Sequence, residues 1–251
     1  MKYLIAFIFG TIIGSFLNVC IHRIPKEESI ITPPSYCPKC GKKIKWYDNI
    51  PIISYLILKG KCRNCKEKIS IQYPLVELLT GFLTTGIVWK YGISVTSFYF
   101  LLLTYVLVVV SMIDLKTMLV PVKLCYFAMI AGILFSIFVP SISLKDSILG
   151  ASFGAGIILF IIETYYILKG KEGMGYGDAN VMAVIGAFLG WEKVLLTIFL
   201  ASLIGAVWGI IFMILRGKNS QLALPFVPFL SLATYVTIIF GNELISWYTG
   251  G

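Results

Sequence analysis

Two aspartates, 64 residues apart, carry the most suggestive chemistry in this sequence: Asp114 in Ser111-Met-Ile-Asp-Leu-Lys-Thr-Met-Leu-Val-Pro121, and Asp178 in Gly173-Met-Gly-Tyr-Gly-Asp-Ala-Asn180. Each stands at the mouth of a long apolar run, where an ionisable group is costly and by default functional. Two carboxyls that share a site cannot both ionise cheaply, so one keeps a proton while the other activates water. The ionised member takes a proton from water as it attacks a peptide carbonyl, and the protonated member polarises that carbonyl and then helps the amine leave. Read singly, either residue is as well explained as a helix-end acid at the headgroup boundary. The pair, beside Gly173, Gly175 and Gly177, points instead to a hydrolase. Glycines let another chain approach closely, and non-helical backbone at membrane depth survives only where it lines a wet or protein-filled cavity. Gly175 and Gly177 are therefore expected in a flexible loop that admits substrate. Helix direction makes Asp178, at a helix N-terminus, the expected resting base, and Asp114, at a C-terminus, the expected acid.

A second constellation is Cys37-Pro-Lys-Cys40 with Cys62-Arg-Asn-Cys65, two C-x2-C pairs 21 residues apart. The spacing is just outside the usual zinc-ribbon range. Four thiolates from two tight turns close a tetrahedron around Zn2+ with no open position, which makes the expected metal structural. Disulfides are disfavoured where thiols stay reduced. Cys20 and Cys125 sit in apolar stretches at no ligand spacing and read as packing residues. The run Ile44–Tyr55 between the knuckles reads as the insert's own small core or a segment resting on the bilayer, with a substrate or cofactor site as the sharper reading.

The elements that must position these groups are membrane helices. Of 251 residues 58% are hydrophobic and 13% charged, against about 25% charged in a soluble domain. Apolar stretches long enough for a bilayer core of about 30 Å fall near 3–21, 74–92, 95–113, 121–140, 147–168, 194–215 and 223–247, with a shorter one at 179–191. The expected fold is an all-α polytopic membrane protein of about eight transmembrane helices. Its parts are a first helix at 1–21, a cytoplasmic zinc-ribbon-like insert at 22–73, and a transmembrane bundle at 74–251. The first helix lacks a small-x-small cleavage site and is read as retained. Of the 21 Lys and Arg, 11 lie between Arg23 and Lys68. Lys116, Lys123, Lys169, Lys171, Arg216 and Lys218 fall in loops on that same side, so the positive-inside rule makes it cytoplasmic and puts both chain ends outside. The surplus of +9 is thus topological, with some attraction to membrane lipid. Nucleic acid is not an expected partner, because no aromatic-basic platform accompanies the charge. Glu77 and Glu163 each lie about one turn into an apolar stretch, where a hydrogen bond to a neighbouring helix is as good an explanation as function.

Gly175-Tyr-Gly-Asp178 resembles the G-x-G-D signature of intramembrane aspartyl proteases. Nearly the whole chain resembles one branch, the bacterial type 4 prepilin peptidases (leader peptidases/N-methyltransferases). The match includes Gly14-Ser-Phe-Leu-Asn-Val19, Arg23-Ile-Pro25, both C-x2-C pairs, Asp48-Asn-Ile-Pro-Ile52, Tyr73-Pro-Leu-Val-Glu77 and Asp114-Leu-Lys-Thr117. The resemblance implies an inner-membrane enzyme with Asp114 and Asp178 as catalytic dyad. It implies cleavage of type IV prepilin or type II secretion pseudopilin precursors at the cytoplasmic face, and methylation of the new N-terminus with S-adenosylmethionine. Val122 departs from the polar residue that relatives often carry after the proline following the first aspartate. No Rossmann-type glycine motif marks the cofactor site, so its residues stay unassigned. His22, at a helix end, reads as interfacial. The rival reading is a proton-coupled transporter with a regulatory zinc ribbon. It fits less well, because relay acids lie near mid-membrane between repeats and no internal repeat is visible.

Overall fold

A computed structural model describes residues 1–171, 173–216 and 224–250, the side chains of Arg216 and Thr249 excepted. Lys218, counted above on the basic face, lies outside the described residues, as does Ala223 at the start of the last expected span. The helices are α1 (Lys2–Arg23), α2 (Ile53–Ile57), α3 (Gln72–Tyr91), α4 (Val95–Thr117), α5 (Val122–Ser136), α6 (Leu144–Lys169), α7 (Tyr176–Leu189), α8 (Trp191–Arg216) and α9 (Val227–Thr249). Extended pairing among the described residues is confined to two isolated bridges, Tyr36 with Lys43 and Lys61 with Lys68. The chain is nearly all helix, as expected. Five helices (α1, α4, α6, α8 and α9) are long and apolar enough to cross a membrane by length and composition, while α5 and α7 are shorter apolar helices.

The chain forms two compact units, Met1–Gly92 and Ile93–Gly251. In the first, α1 packs along α3. Gly10 and Gly14, one turn apart on α1, make the close approach possible. A Cβ on Gly10 would meet Gly81 Cα at 2.8 Å, and one on Gly14 would meet Glu77 Cα at 2.8 Å. Small residues four apart are the usual route to helix association in lipid, where no hydrophobic drive exists. Further along, the Asn18 amide donates to the Tyr73 carbonyl at 3.1 Å. The second unit repeats the device between α6 and α7. Gly150 and Gly186 bring their backbones into contact, and a Cβ on Gly154 would meet the Met182 carbonyl oxygen at 2.6 Å.

Polar ties fix the rest of the second unit. The buried Tyr99 hydroxyl donates to the carbonyls of Gly132 at 3.1 Å and Ala187 at 3.0 Å, joining α4 to α5 and α7. Ser111 donates to Ser231 at 2.6 Å, joining α4 to α9. Helix α4 starts on a Ser94 cap that accepts from the Ser97 N–H and ends at Met118 in the left-handed conformation. Gly190, at φ +77°, breaks the chain between α7 and α8, a backbone angle that suits glycine.

Of the two plain readings of the run 44–55, exposure favours the surface segment over a core of the insert: Trp46 is 80% and Ile53 54% exposed. The segment is too short to fold on itself. It forms one 3-10 turn at 46–49 and the five-residue α2, whose apolar side chains find no facing layer.

Candidate active site and cysteine cluster

Asp114 occupies the last turn of α4 and is 5% exposed; Asp178 occupies the first turn of α7 and is 8% exposed. Both belong to the second unit, and α4 packs against α7. The local reason they meet is Gly177. A Cβ there would fall 2.7 Å from Cβ and Cγ2 of Val120. The α7 N-terminus therefore abuts the short turn that leaves α4, and the adjacent Asp178 comes within electrostatic reach of Asp114. The Asp178 N–H donates to the Gly175 carbonyl at 3.1 Å, which closes the first turn of the helix.

Asp114 has a partner that helix direction alone does not suggest. Its Oδ2 accepts from the Val227 N–H at 3.3 Å, at the first residue of α9. Asp114 thus lies at the C-terminus of its own helix and beside the N-terminus of α9, where a negative charge is favoured. The second position weakens the contrast expected from helix direction, base at Asp178 and acid at Asp114.

The glycine loop divides in two. Gly173 and Gly177 are tight, since a Cβ on Gly173 would meet the Tyr165 ring at 2.6 Å. Gly175 is extended at φ −80°, ψ 143°, and a Cβ there would meet only ordinary contacts at 3.9 Å. Neither sterics nor backbone requires glycine at that position. The Tyr176 hydroxyl donates to Glu163 Oε1 at 2.8 Å, which gives Glu163 the neighbouring-helix bond. Beside this loop, Met174, Phe226 and Phe229 line an apolar cavity of about 330 Å³ that also touches Ser202 and Gly205 of α8.

In the first unit the four sulfurs of Cys37, Cys40, Cys62 and Cys65 lie within 4.8 Å of one another. Cys37 and Cys65 are 3.8 Å apart. Four thiolates at about 2.3 Å from a tetrahedral Zn2+ stand about 3.8 Å apart, so the cluster fits that ion. The knuckles are built alike. The Cys37 and Cys62 N–H groups donate to Lys42 and Glu67 carbonyls, and the Gly41 and Lys66 N–H groups return to Cys37 and Cys62. N–H groups of Cys65 and Asn64 pull the Cys62 thiol down to about 6, toward the thiolate that binds metal. Arg63 in the second knuckle grips Asp48 with three bonds of 2.6–3.1 Å and holds its carboxyl below the usual range. Asp48 thereby ties the 46–49 turn to the cluster.

Glu77 is also bonded. Its Oε2 accepts from the Ile52 N–H at 2.7 Å. Ile52 has φ +63° and ψ −51°, and the Ile53 N–H reaches back to Pro51 at 2.6 Å. This is the rare positive-φ γ-turn, strained for a β-branched residue and pinned by one buried carboxylate. The bond joins two motifs, Asp48–Ile52 and Tyr73–Glu77. Cys20 and Cys125 are buried in α1 and α5, and His22 lies exposed beside Lys26.

Against known proteins, the bacterial peptidase A24 N-terminal domain matches residues 8–91, and the type IV leader peptidase family matches residues 101–210. The chain belongs to the type IV leader peptidase family. It is similar to the prepilin leader peptidase/N-methyltransferase of Aeromonas salmonicida, at 35% identity over 99% of this chain and 94% of the relative. The Pseudomonas aeruginosa protein of that name is 36% identical over 96% of this chain and 91% of the relative. No solved structure matches the chain. Within the type IV leader peptidase family model fall Asp114, Asp178 and the glycine loop; the four cysteines, Arg23 and Glu77 fall within the N-terminal one.

Proposed function

We propose that this chain is a prepilin peptidase that uses Asp114 and Asp178 as a dyad to remove the leader from type IV prepilin or pseudopilin precursors. The cut lies at the cytoplasmic face of a bacterial inner membrane, which is the face bearing most of the basic residues. The single observation that supports the reading is the abutment of Gly177 on Val120, beside two buried carboxyls that lie within electrostatic reach of each other. One carboxylate removes a proton from water as its oxygen adds to the scissile carbonyl carbon. The other, protonated, hydrogen-bonds the carbonyl oxygen. When the C–N bond breaks, the amine takes a proton and the dyad is again singly protonated. Asp178, which lies at a helix N-terminus alone, is the expected opening base.

The apolar cavity beside Met174 and Phe226 suits the apolar residues that follow the cut. The chain then N-methylates the new terminus, as the names of its relatives state for them. S-adenosylmethionine supplies an electrophilic methyl on a sulfonium. The four-cysteine cluster holds Zn2+ structurally and keeps the insert folded.

The test is co-expression with a prepilin, following the leader by gel shift. Asp114→Asn and Asp178→Asn should each reduce cleavage at least about 10³-fold. Processing that persists in both would refute the dyad.

A further inference from the structure

Arg23, the last residue of α1, is 7% exposed. Its guanidinium donates to the carbonyls of Ser29 at 2.8 Å and Pro33 at 2.7 Å, and no carboxylate pairs with it among the described residues. Carbonyl oxygens satisfy hydrogen bonds but do not neutralise the charge, and a buried unpaired charge is costly. Of the five N–H donors on an arginine, three remain after these two bonds.

Arg23 lines a cavity of about 340 Å³ within the first unit, in the size range of small-molecule sites. Phe16 and Val19 of α1 form one wall, and Ile31 and Pro34 of the following loop face them. Ser15, Ser35 and Asn49 add polar groups to the lining. The cavity thus sets a buried unneutralised cation beside apolar side chains. That pattern calls for a ligand with an anionic group and an apolar body.

Resting on the methylation reading above, we propose that this cavity is the S-adenosylmethionine site and that Arg23 binds the ligand's carboxylate. A guanidinium matches a carboxylate with paired bonds, and the apolar walls suit the flat faces of an adenosyl group. An anionic phospholipid headgroup would satisfy Arg23 too, and the test below separates the two ligands.

The test measures equilibrium binding to the zinc-loaded full chain in nanodiscs of zwitterionic lipid, by calorimetry, with no methyl acceptor present. S-adenosylmethionine and 5′-methylthioadenosine, which lacks the amino-acid carboxylate, are compared. The wild type should bind the first at least about tenfold more tightly, and Arg23→Gln should erase that preference. Val19→Trp, which fills the cavity and leaves Arg23 intact, should weaken both ligands by at least about tenfold. Melting temperature and zinc content report whether either variant has lost its fold. If wild type binds S-adenosylmethionine and both folded variants bind it equally well, the site is elsewhere and the methylation reading stands. No binding by wild type sinks both. Competition by added phosphatidylglycerol that Arg23→Gln abolishes, with no preference between the two adenosyl ligands, assigns the cavity to lipid and overturns the proposal.

Discussion

Replacing Gly177 with alanine tests how two carboxyls from different helices are held in register. The added Cβ falls 2.7 Å from two Val120 atoms, where ordinary contact begins near 3.4 Å. Relieving that overlap moves the α7 N-terminus, and Asp178 with it, by roughly 0.7–1 Å away from the α4 turn, at a cost of about 1–3 kcal/mol. A displacement of about 1 Å in a reacting constellation costs on the order of 10²-fold in rate. Gly177→Ala should therefore lower the single-turnover cleavage rate about 10²-fold, while the protein remains folded. Val120→Gly removes both clashing atoms, so the double variant should recover to within about tenfold of wild type. The assay is leader cleavage in membrane vesicles with the precursor in excess. Wild-type rates in Gly177→Ala, or a double variant as slow as the single, would refute the abutment as the device that pairs the carboxyls.

Gly175→Ala should leave stability unchanged within about 0.5 kcal/mol, because nothing crowds its Cβ. A large loss of cleavage there would mark the position as one the substrate backbone approaches. In the cysteine knuckles, Lys66 at φ +60° stands where the other knuckle has Gly41 at φ +68°. Lys66→Gly should make zinc harder to strip by about 1 kcal/mol and Gly41→Ala easier by a similar amount, read by chelator titration. Equal behaviour of the two variants would mean the turns are not equivalent. Glu77→Gln leaves an acceptor for the Ile52 N–H, whereas Glu77→Leu leaves that donor unpaired at about 1–3 kcal/mol. Proteolysis of the 46–57 segment should increase in the second variant and far less in the first. Gly205→Leu, projecting toward Phe229 in the apolar cavity, should raise KM for the precursor more than it lowers kcat.

The sequence made the helices and both chemical constellations readable for a common reason. A long apolar run has few foldings in lipid, and charges or paired cysteines inside one stand out. What it hid are contacts in which one partner is backbone. Val227 offers Asp114 only an N–H, Ile52 offers Glu77 only an N–H, and Ser29 and Pro33 offer Arg23 only carbonyls. None of these partners has a side chain that advertises the bond. The sequence names no partner for Glu77, and it marks Arg23 only as one basic residue among many and as part of Arg23-Ile-Pro25. The Ile44–Tyr55 run is ambiguous in sequence for the opposite reason. Its apolar composition fits a small core and a bilayer-resting segment alike, and only the exposure of its side chains separates them. Gly10, Gly14, Gly150 and Gly186 carried a legible signal in their four-residue spacing with other small residues, although that spacing does not name the partner helix.

Helix α7 has 14 residues, so it is about 21 Å long, some 9 Å less than a typical hydrocarbon slab. From Asp178 on it is almost wholly buried, so neighbouring helices rather than lipid line its length. The bilayer need not thin to match this short helix. Processing by this family member should consequently depend little on the acyl-chain length of its host membrane.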